Sequence, residues 1–291
     1  MLWHEIDFAA FERPLACQVA DMFAEFPAVA VGIERDPLGL AAASHIANRL
    51  KLLSPERNQL DASNLETEYE GTLKAITRRG VVEKGTCLDP GMCGYDSVPY
   101  LLTPHSAASD PTCAAIDAAW EVIRKTPFAY LAERLSGIAI VALDHQRFPN
   151  TNQSYTILPL MQTVYVDIYE HPLLTAESLV HEHAHLTFNN YVRHHRLTFD
   201  PTPRFYSPWK EQERPLFNFL HSIIAFCEVI EFLNAVDPHG LDEQGRRYLD
   251  MKLKFETANI AAVRAAAELA LKASPDRAIA DRIHQRLDCV R

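Results

Sequence analysis

The spacing of apolar residues along the chain predicts a structure that is mostly helical. Between residue 1 and about residue 135, apolar side chains recur at steps of three and four residues, which is the period of a helix that buries one face. We predict helices in the stretches that show this period: residues 7–26, 37–53, 63–79 and 112–134 in the first half, and residues 216–236, 241–272 and 275–290 in the second. The last two helices are predicted to have only a structural role.

Two short stretches depart from the helical period and predict strands. Residues 137–143 are a continuous apolar run with the length of a buried strand. In residues 161–169 the side chains alternate, so that Val164, Val166 and Ile168 would share one face of a strand. The predicted fold class is therefore α+β and predominantly helical, with a few short strands.

Prolines and glycines mark two irregular segments. Seven of them fall within residues 81–111, which predicts a long loop. Four prolines within residues 197–215 predict a stiff, irregular connection. We expect a helical N-terminal region, residues 1–135, that contains the long loop, and a second region, residues 136–291; the two are also compatible with one continuous domain.

Composition narrows the classes of function. Of the 291 residues, 48% are hydrophobic and 23% are charged, which is usual for a globular protein, and the net charge of -10 argues against a nucleic-acid-binding protein. We find no apolar run that predicts a transmembrane helix, and the first residues lack the basic and apolar regions of a signal peptide. The cysteines are scattered along the chain, so we expect reduced thiols and a cytoplasmic location.

Some residues of metal-binding types are predicted to be structural. Cys87 and Cys93 have a spacing unlike that of a zinc knuckle, so we interpret them as loop thiols. His45 lies inside an apolar helical run, which favours a hydrogen-bonded core histidine over a metal ligand.

The sequence His-Glu-x-x-His is the strongest indication of chemistry, and it occupies His181, Glu182 and His185. Four residues advance a helix by about 400°, so the two histidines project from one face and can bind one metal ion. Glu182 beside them could be a base, an orienting group or neither. Thr175 is the expected N-cap of this helix, and His183 is expected to face away and to orient nothing. The predicted strands would lie beside this metal-binding helix.

Two helical histidines need at least one more protein ligand. The metzincin pattern is excluded, because Phe188 and Tyr191 stand where it has a glycine and a histidine. A gluzincin would use a glutamate from the following helix as its third ligand, here Glu228 or Glu231. The aspartate that usually follows this glutamate in gluzincins is absent. His221 on that helix is the remaining candidate, and these residues alone leave the third ligand open.

Four motifs in the C-terminal half give the chain a resemblance to a known family. In chain order they are Leu179-Val-His181-Glu182-His-Ala-His185-Leu186, Tyr206-Ser-Pro-Trp209-Lys210, Glu213-Arg214-Pro215-Leu216 and Leu220-His221. In this combination the chain resembles the bacterial HExxH-type peptide-modification proteins, which are 2-oxoglutarate-dependent peptide β-hydroxylases that often act on ribosomally made peptides. The family position after Ser-Pro-Trp is often arginine, whereas this chain has Lys210.

The resemblance implies an oxygenase with a mononuclear Fe(II) site. The implied metal ligands are His181, His185 and His221. Arg214 would hold the distal carboxylate of the co-substrate 2-oxoglutarate, and Tyr206 and Trp209 would be pocket walls or would only pack. Three neutral imidazoles suit Fe(II), which must also take a 2-oxoacid and dioxygen, but zinc binds imidazole equally well.

Three functions compete at this point. The first is an Fe(II)/2-oxoglutarate oxygenase that hydroxylates a side-chain carbon, the β-carbon by resemblance, of a peptide or amino-acid residue. The second is a zinc metallopeptidase, in which Glu182 would be the general base. The third is a non-catalytic peptide-binding partner. The expected partner in each is a peptide or peptidyl substrate, with no nucleic acid and no membrane.

Overall fold

The computed structural model describes residues 16–17, 19–21, 23–36, 38–52, 64–77, 81–83, 86–87, 100–106, 108–131, 137–143, 154–158 and 160–290. Its α-helices are α1 (Pro27–Arg35), α2 (Gly39–Leu52), α3 (Leu65–Thr77), α4 (Asp110–Arg124), α5 (Pro172–His194), α6 (Leu216–Ala235), α7 (Glu243–Lys272) and α8 (Arg277–Cys289). Its strands are β1 (Val81–Glu83), β2 (Thr86–Cys87), β3 (Tyr100–Leu101), β4 (Ala139–Leu143), β5 (Thr163–Asp167), β6 (Arg204–Ser207) and β7 (Gln212–Pro215).

The predicted fold class is confirmed, because the described residues are mainly helical and their strands are short. Most of the predicted helix at residues 7–26 lies outside the described residues, as does Cys93. Helix α4 ends ten residues before its predicted end at residue 134. Pro127 explains this, because proline disfavours the helical conformation at Thr126, which instead caps a short 3-10 helix.

Strands β1, β4 and β5 form a parallel sheet in the order β1-β4-β5. All of β5 is buried, as expected for a parallel sheet that is covered on both faces. Val141 and Tyr165 pack on one face with helices α1 to α3, whereas Ile140, Val164 and Val166 pack on the other with α4 and α5. The N-terminal helices therefore share a hydrophobic core with the strand that leads into α5.

Part of the segment predicted as an irregular loop, residues 81–111, is ordered into strands. Strand β1 joins the parallel sheet with Val81 opposite Ile140, and β2 and β3 form a small antiparallel pair. Strands of two or three residues are too short to show an alternating pattern, which is why the sequence did not predict them. Cys87 lies in β2.

His45 is a core histidine, as predicted. The amide of Leu102 donates to His45 Nδ1 at 3.0 Å, and His45 Nε2 lies 3.0 Å from the hydroxyl oxygen of Thr163. Burial, with a smaller contribution from Arg49, lowers the pKa of His45 to about 3. The ring is therefore neutral and connects α2 to β5 instead of binding a ligand.

Helix α5 begins earlier than the sequence predicted. Its N-cap is His171, whose Nδ1 accepts from the amide of Leu173 at 3.2 Å, and Pro172 occupies the first turn, where it needs no hydrogen-bond partner. Thr175 is not the N-cap, because its hydroxyl accepts from the amide of Tyr169 at 3.0 Å.

The segment predicted as an irregular connection, residues 197–215, contains an antiparallel hairpin of β6 and β7. Phe205 pairs with Arg214, and Ser207 pairs with Gln212. The prolines do not interrupt this ladder, because Pro208 lies in the turn and Pro215 at the end of β7. Glu211 adopts a positive φ of 51° where the turn enters β7.

Helix α6 packs against α5, α7 and α8. By length and composition it is the one helix of the described ranges that could cross a membrane, with a mean hydropathy of 1.7 in its most apolar window, so our prediction of no such run was wrong. Of this most apolar part of α6, 67% is buried inside the protein. Such burial is typical of a helix in a hydrophobic core.

Candidate metal centre

One face of α5 borders a cleft of about 640 Å³. Glu177, His181 and His185 line it at intervals of one helical turn. The β6–β7 hairpin, the first half of α6, the middle of α7 and residues 154–156 supply the other walls. The parallel sheet fixes the start of α5, and the hairpin and α6 close over its middle.

The predicted ligands on α5 come together as the motif requires. The rings of His181 and His185 have centroids 4.5 Å apart and are nearly perpendicular, at 88°. The ligand atoms of His181, Glu182 and His185 all lie within 4.8 Å of one another. Burial, followed by nearby positive charges, lowers the pKa of His181 to about 3 and the pKa of His185 well below its usual value. Both imidazoles are therefore neutral, which is the form that binds a metal.

The ring of His221, which α6 supplies, lies against the ring of His185 with their centroids 3.8 Å apart. The two planes differ by only 23°, so the rings are stacked. The lone pair of a ring nitrogen lies in the plane of the ring. In two stacked rings these lone pairs lie in nearly parallel planes, so they do not converge on one metal ion. His221 would have to rotate for its nitrogen to converge with the other ligands. His185 Nδ1 and His221 Nε2 are buried and have no hydrogen-bond partner among the described residues.

Glu228 and Glu231, the alternative third ligands, do not line the cleft. The Glu228 carboxylate lies 3.9 Å from His183 Nδ1 and 4.0 Å from the guanidinium of Arg286. Glu231 forms an ion pair with the same Arg286. A gluzincin ligand set is therefore not assembled here. His183 does not line the cleft, and its Nδ1 lies 3.9 Å from the Glu228 carboxylate.

We expect Glu228→Gln to lower the free energy of unfolding by about 1–3 kcal/mol, because it leaves buried partners with a weaker acceptor. Despite the opposing effect of burial, His183 and Arg286 lower the pKa of Glu228 from its usual 4.5. The unfolded chain therefore binds more protons than the folded chain. The contribution of ionised Glu228 to the free energy of unfolding is present above pH 4.5 and is lost as the pH falls through its lowered pKa. Denaturant unfolding at several pH values checks this.

A surface variant is the control for that prediction. Asp281→Asn removes an exposed partner of Arg277 and should change the free energy of unfolding by less than about 0.5 kcal/mol. Metal content should be unchanged in both variants. Loss of metal from the Glu228 variant would contradict the arrangement and would restore Glu228 as a ligand.

Glu182 is buried beside the two histidines and is not among the residues that line the cleft. It is 0% exposed, its Oε1 lies 3.9 Å from His181 Nε2, and neither of its carboxyl oxygens has a hydrogen-bond partner among the described residues. Burial raises its pKa well above the usual value, although Lys210 opposes this effect. Glu182 is therefore close enough to the two histidines to contact a metal or its ligands.

The hairpin brings two cations to the cleft, Arg214 from β7 and Lys210 from the turn. Burial lowers the pKa of His221 to about 4, so this ring is also neutral, and Arg214 makes a smaller contribution in the same direction. Lys210 likewise adds to the lowering of the pKa that burial causes at His181 and His185. No hydrogen bond or ion pair joins either side chain to another residue of the described ranges. Both cations therefore lie beside the histidines, and neither forms an ion pair with a carboxylate of the described residues.

Of the two residues for which pocket wall and packing were both left open, Trp209 lines the cleft and Tyr206 does not. The Trp209 ring stacks on Phe226 at 4.4 Å, and Phe226 contacts the ring of His181 at 4.8 Å. Tyr206 is 53% exposed, because alternate residues of a strand point in opposite directions. Tyr206 is therefore not a wall of this cleft.

The sequence did not predict the contribution of α7 to the cleft. Lys252 contacts Glu256 at 2.8 Å and Glu177 at 3.3 Å, and all three line the cleft. A lysine and a glutamate four residues apart are common on exposed helices, so their spacing gave no signal. The prediction that α7 has only a structural role was therefore incomplete.

Comparison with the known protein families and with curated proteins finds no match to this chain. The interpretation of the cleft therefore depends on its own residues.

Proposed function

We propose that this chain is a 2-oxoglutarate-dependent non-haem iron oxygenase that hydroxylates a side-chain carbon, the β-carbon by resemblance, of a residue in a peptide. The observation that supports this most is the combination within one cleft of three neutral histidines with Arg214 and Lys210. A 2-oxoglutarate oxygenase needs a metal site with free positions and a cation for the distal carboxylate, and this cleft offers both kinds of group.

The histidines fit a resident Fe(II). His181 and His185, whose ligand atoms lie within 4.8 Å of one another, would hold it, and His221 would join them once its ring rotates out of the stack on His185. His185 Nδ1 and His221 Nε2 have no hydrogen-bond partner among the described residues. When bound, the iron and 2-oxoglutarate together supply the activation of dioxygen, which no side chain can perform. Glu182 would orient His181, whose Nε2 lies 3.9 Å from its carboxylate.

Arg214 would bind the distal carboxylate of 2-oxoglutarate through two parallel hydrogen bonds. Its half-buried position beside His221 favours such a contact, because a partly desolvated cation attracts an anion more strongly than one in bulk water. Trp209 and Phe226 form an apolar wall against His181 and would exclude water from that side of the site. Phe255, at the cleft and 55% exposed, would contact the peptide as it enters.

The zinc peptidase receives less support from this arrangement. Glu228 and Glu231 pair with Arg286 and not with the cleft, so the ligand set of a gluzincin peptidase is not assembled. We expect Glu182→Gln to keep succinate formation within about tenfold of wild type, because glutamine keeps an oxygen beside His181 and the oxygenase needs no base to activate water. In a peptidase, loss of the general base would lower hydrolysis by about 100- to 10,000-fold. Rates of succinate release and of peptide cleavage by the same variant separate the two outcomes.

The proposed function is tested by incubating the Fe(II)-loaded protein with 2-oxoglutarate, dioxygen and peptides encoded beside the gene. One oxygen atom should enter the peptide and the other should enter succinate, while carbon dioxide leaves. Mass spectrometry of the peptide and measurement of succinate should show the two products in equal amounts. Metal-dependent cleavage of a peptide without succinate would overturn the proposal in favour of the peptidase.

A further inference from the structure

We infer that Glu256 is a positioning residue: by holding Trp209 it fixes the turn of the β6–β7 hairpin, and so sets where Lys210 and Arg214 lie over the histidines. This inference depends on the proposed function only for the identity of the anion that the two cations bind.

The base of the hairpin is attached to α6. Phe205 on β6 stacks on Phe219 of α6, with their centroids 5.1 Å apart and their planes 21° apart. The amide of Leu216 also donates to the carbonyl of Pro203 at 3.1 Å. These contacts hold the end of the hairpin that is farthest from the turn.

The turn, residues 208–211, is attached to α7 through Trp209. Its indole Nε1 donates to Oε2 of Glu256 at 2.6 Å. Among the described residues, this is the one side-chain hydrogen bond from the turn to another element. The acceptor is a carboxylate that is 0% exposed, so the bond is charge-assisted and shielded from water.

Glu256 is itself held in relation to the metal-binding helix. Lys252 bridges it to Glu177, with N–O distances of 2.8 Å to Glu256 and 3.3 Å to Glu177. Tyr248 donates to the other oxygen of Glu177. Because Glu177 lies one turn before His181 on α5, the network connects the hairpin turn to the helix that carries two of the histidines.

The position of the cations should therefore depend on the bond between Trp209 and Glu256. Lys210 is the next residue in the turn, and Arg214 lies on β7, which the turn leads into. If the bond is lost, the base stays on α6 and only the stacking of Trp209 on Phe226 still holds the turn, so the turn moves more freely relative to α7. The distance between the two cations and the histidines then varies. An anion that is held by both cations is therefore bound less tightly.

The experiment measures hydrogen exchange of the backbone amides of residues 204–215 in protein without ligand. Glu256→Ala and Trp209→Phe should each raise the exchange rate of these amides about tenfold, because each substitution removes the charge-assisted hydrogen bond between Trp209 and Glu256. Glu256→Gln keeps an acceptor oxygen and should stay near the wild-type rate. Trp209→Phe keeps an aromatic ring on Phe226 and leaves Glu256 paired with Lys252, so it tests the bond even if Glu256→Ala does not fold.

Asp250→Asn is the matched control, since Asp250 pairs with Lys254 on the exposed side of the same helix. It should leave the exchange unchanged. The dissociation constant for 2-oxoglutarate, measured by calorimetry on Zn(II)-loaded protein, should rise about tenfold in Trp209→Phe and stay near wild type in Glu256→Gln.

Unchanged exchange in Trp209→Phe would overturn the inference, and so would raised exchange with an unchanged dissociation constant. If wild type binds no 2-oxoglutarate, the proposed function fails, and the exchange rates still decide whether Glu256 fixes the hairpin.

Discussion

Replacing His185 with alanine should yield folded protein that no longer retains iron. His185 lies at the centre of the ring cluster, 4.5 Å from the ring of His181 and 3.8 Å from that of His221. Removing a ligand should cost more than the 10- to 100-fold in metal affinity that is typical of losing a residue behind the ligands. His181→Ala should have the same effect. Elemental analysis of protein purified without oxygen measures the iron per chain.

His183→Ala is the matched control, because His183 lies on the same helix but faces Glu228. It should keep its iron, at some cost in stability. Circular dichroism should show native helix content in all three variants. Full iron occupancy in the His185 variant, or equal loss of iron from the His183 variant, would contradict the assignment of the ligands.

Replacing Arg214 with alanine should leave iron in place and raise the dissociation constant for 2-oxoglutarate. A charge-assisted bidentate contact that is well desolvated is worth about 2–5 kcal/mol, which corresponds to at least a 30-fold loss of affinity. The apparent 2-oxoglutarate requirement for succinate release should rise in proportion. A saturation curve for succinate release, together with the iron content of the same sample, measures both quantities.

Arg204→Ala provides the control for this prediction. Arg204 is an exposed arginine on the same hairpin and donates to the backbone of Glu213. Its loss should change the 2-oxoglutarate requirement by less than about threefold. Identical curves for wild type and the Arg214 variant would remove Arg214 from the site.

The part of the site that the sequence predicted is the part that depends on local geometry. His181 and His185 share a face because four residues make about one helical turn, whatever surrounds the helix. The strand before them was predicted for the same reason, since Val164 and Val166 alternate with residues of the other face. Trp209 and Arg214 were identified through the family resemblance, and both line the cleft.

The parts that the sequence did not predict depend on contacts between distant segments. Glu228 remained a possible ligand until the structure paired it with Arg286 near the end of the chain. Glu256 gave no signal because its role depends on Trp209, which is 47 residues away. The hairpin was not predicted because its prolines were interpreted as breaks, although they stand only at its turn and its end.

The most direct test of the central claim, that the cleft holds iron together with 2-oxoglutarate, is a calorimetric titration of 2-oxoglutarate into Fe(II)-loaded protein without oxygen. We expect one binding site per chain. Binding should be absent from metal-free protein, because the iron and the cations hold different ends of the co-substrate, and it should be weakened in the Arg214 variant. Loaded wild-type protein that releases no heat with 2-oxoglutarate, or metal-free protein that binds it equally well, would contradict the claim.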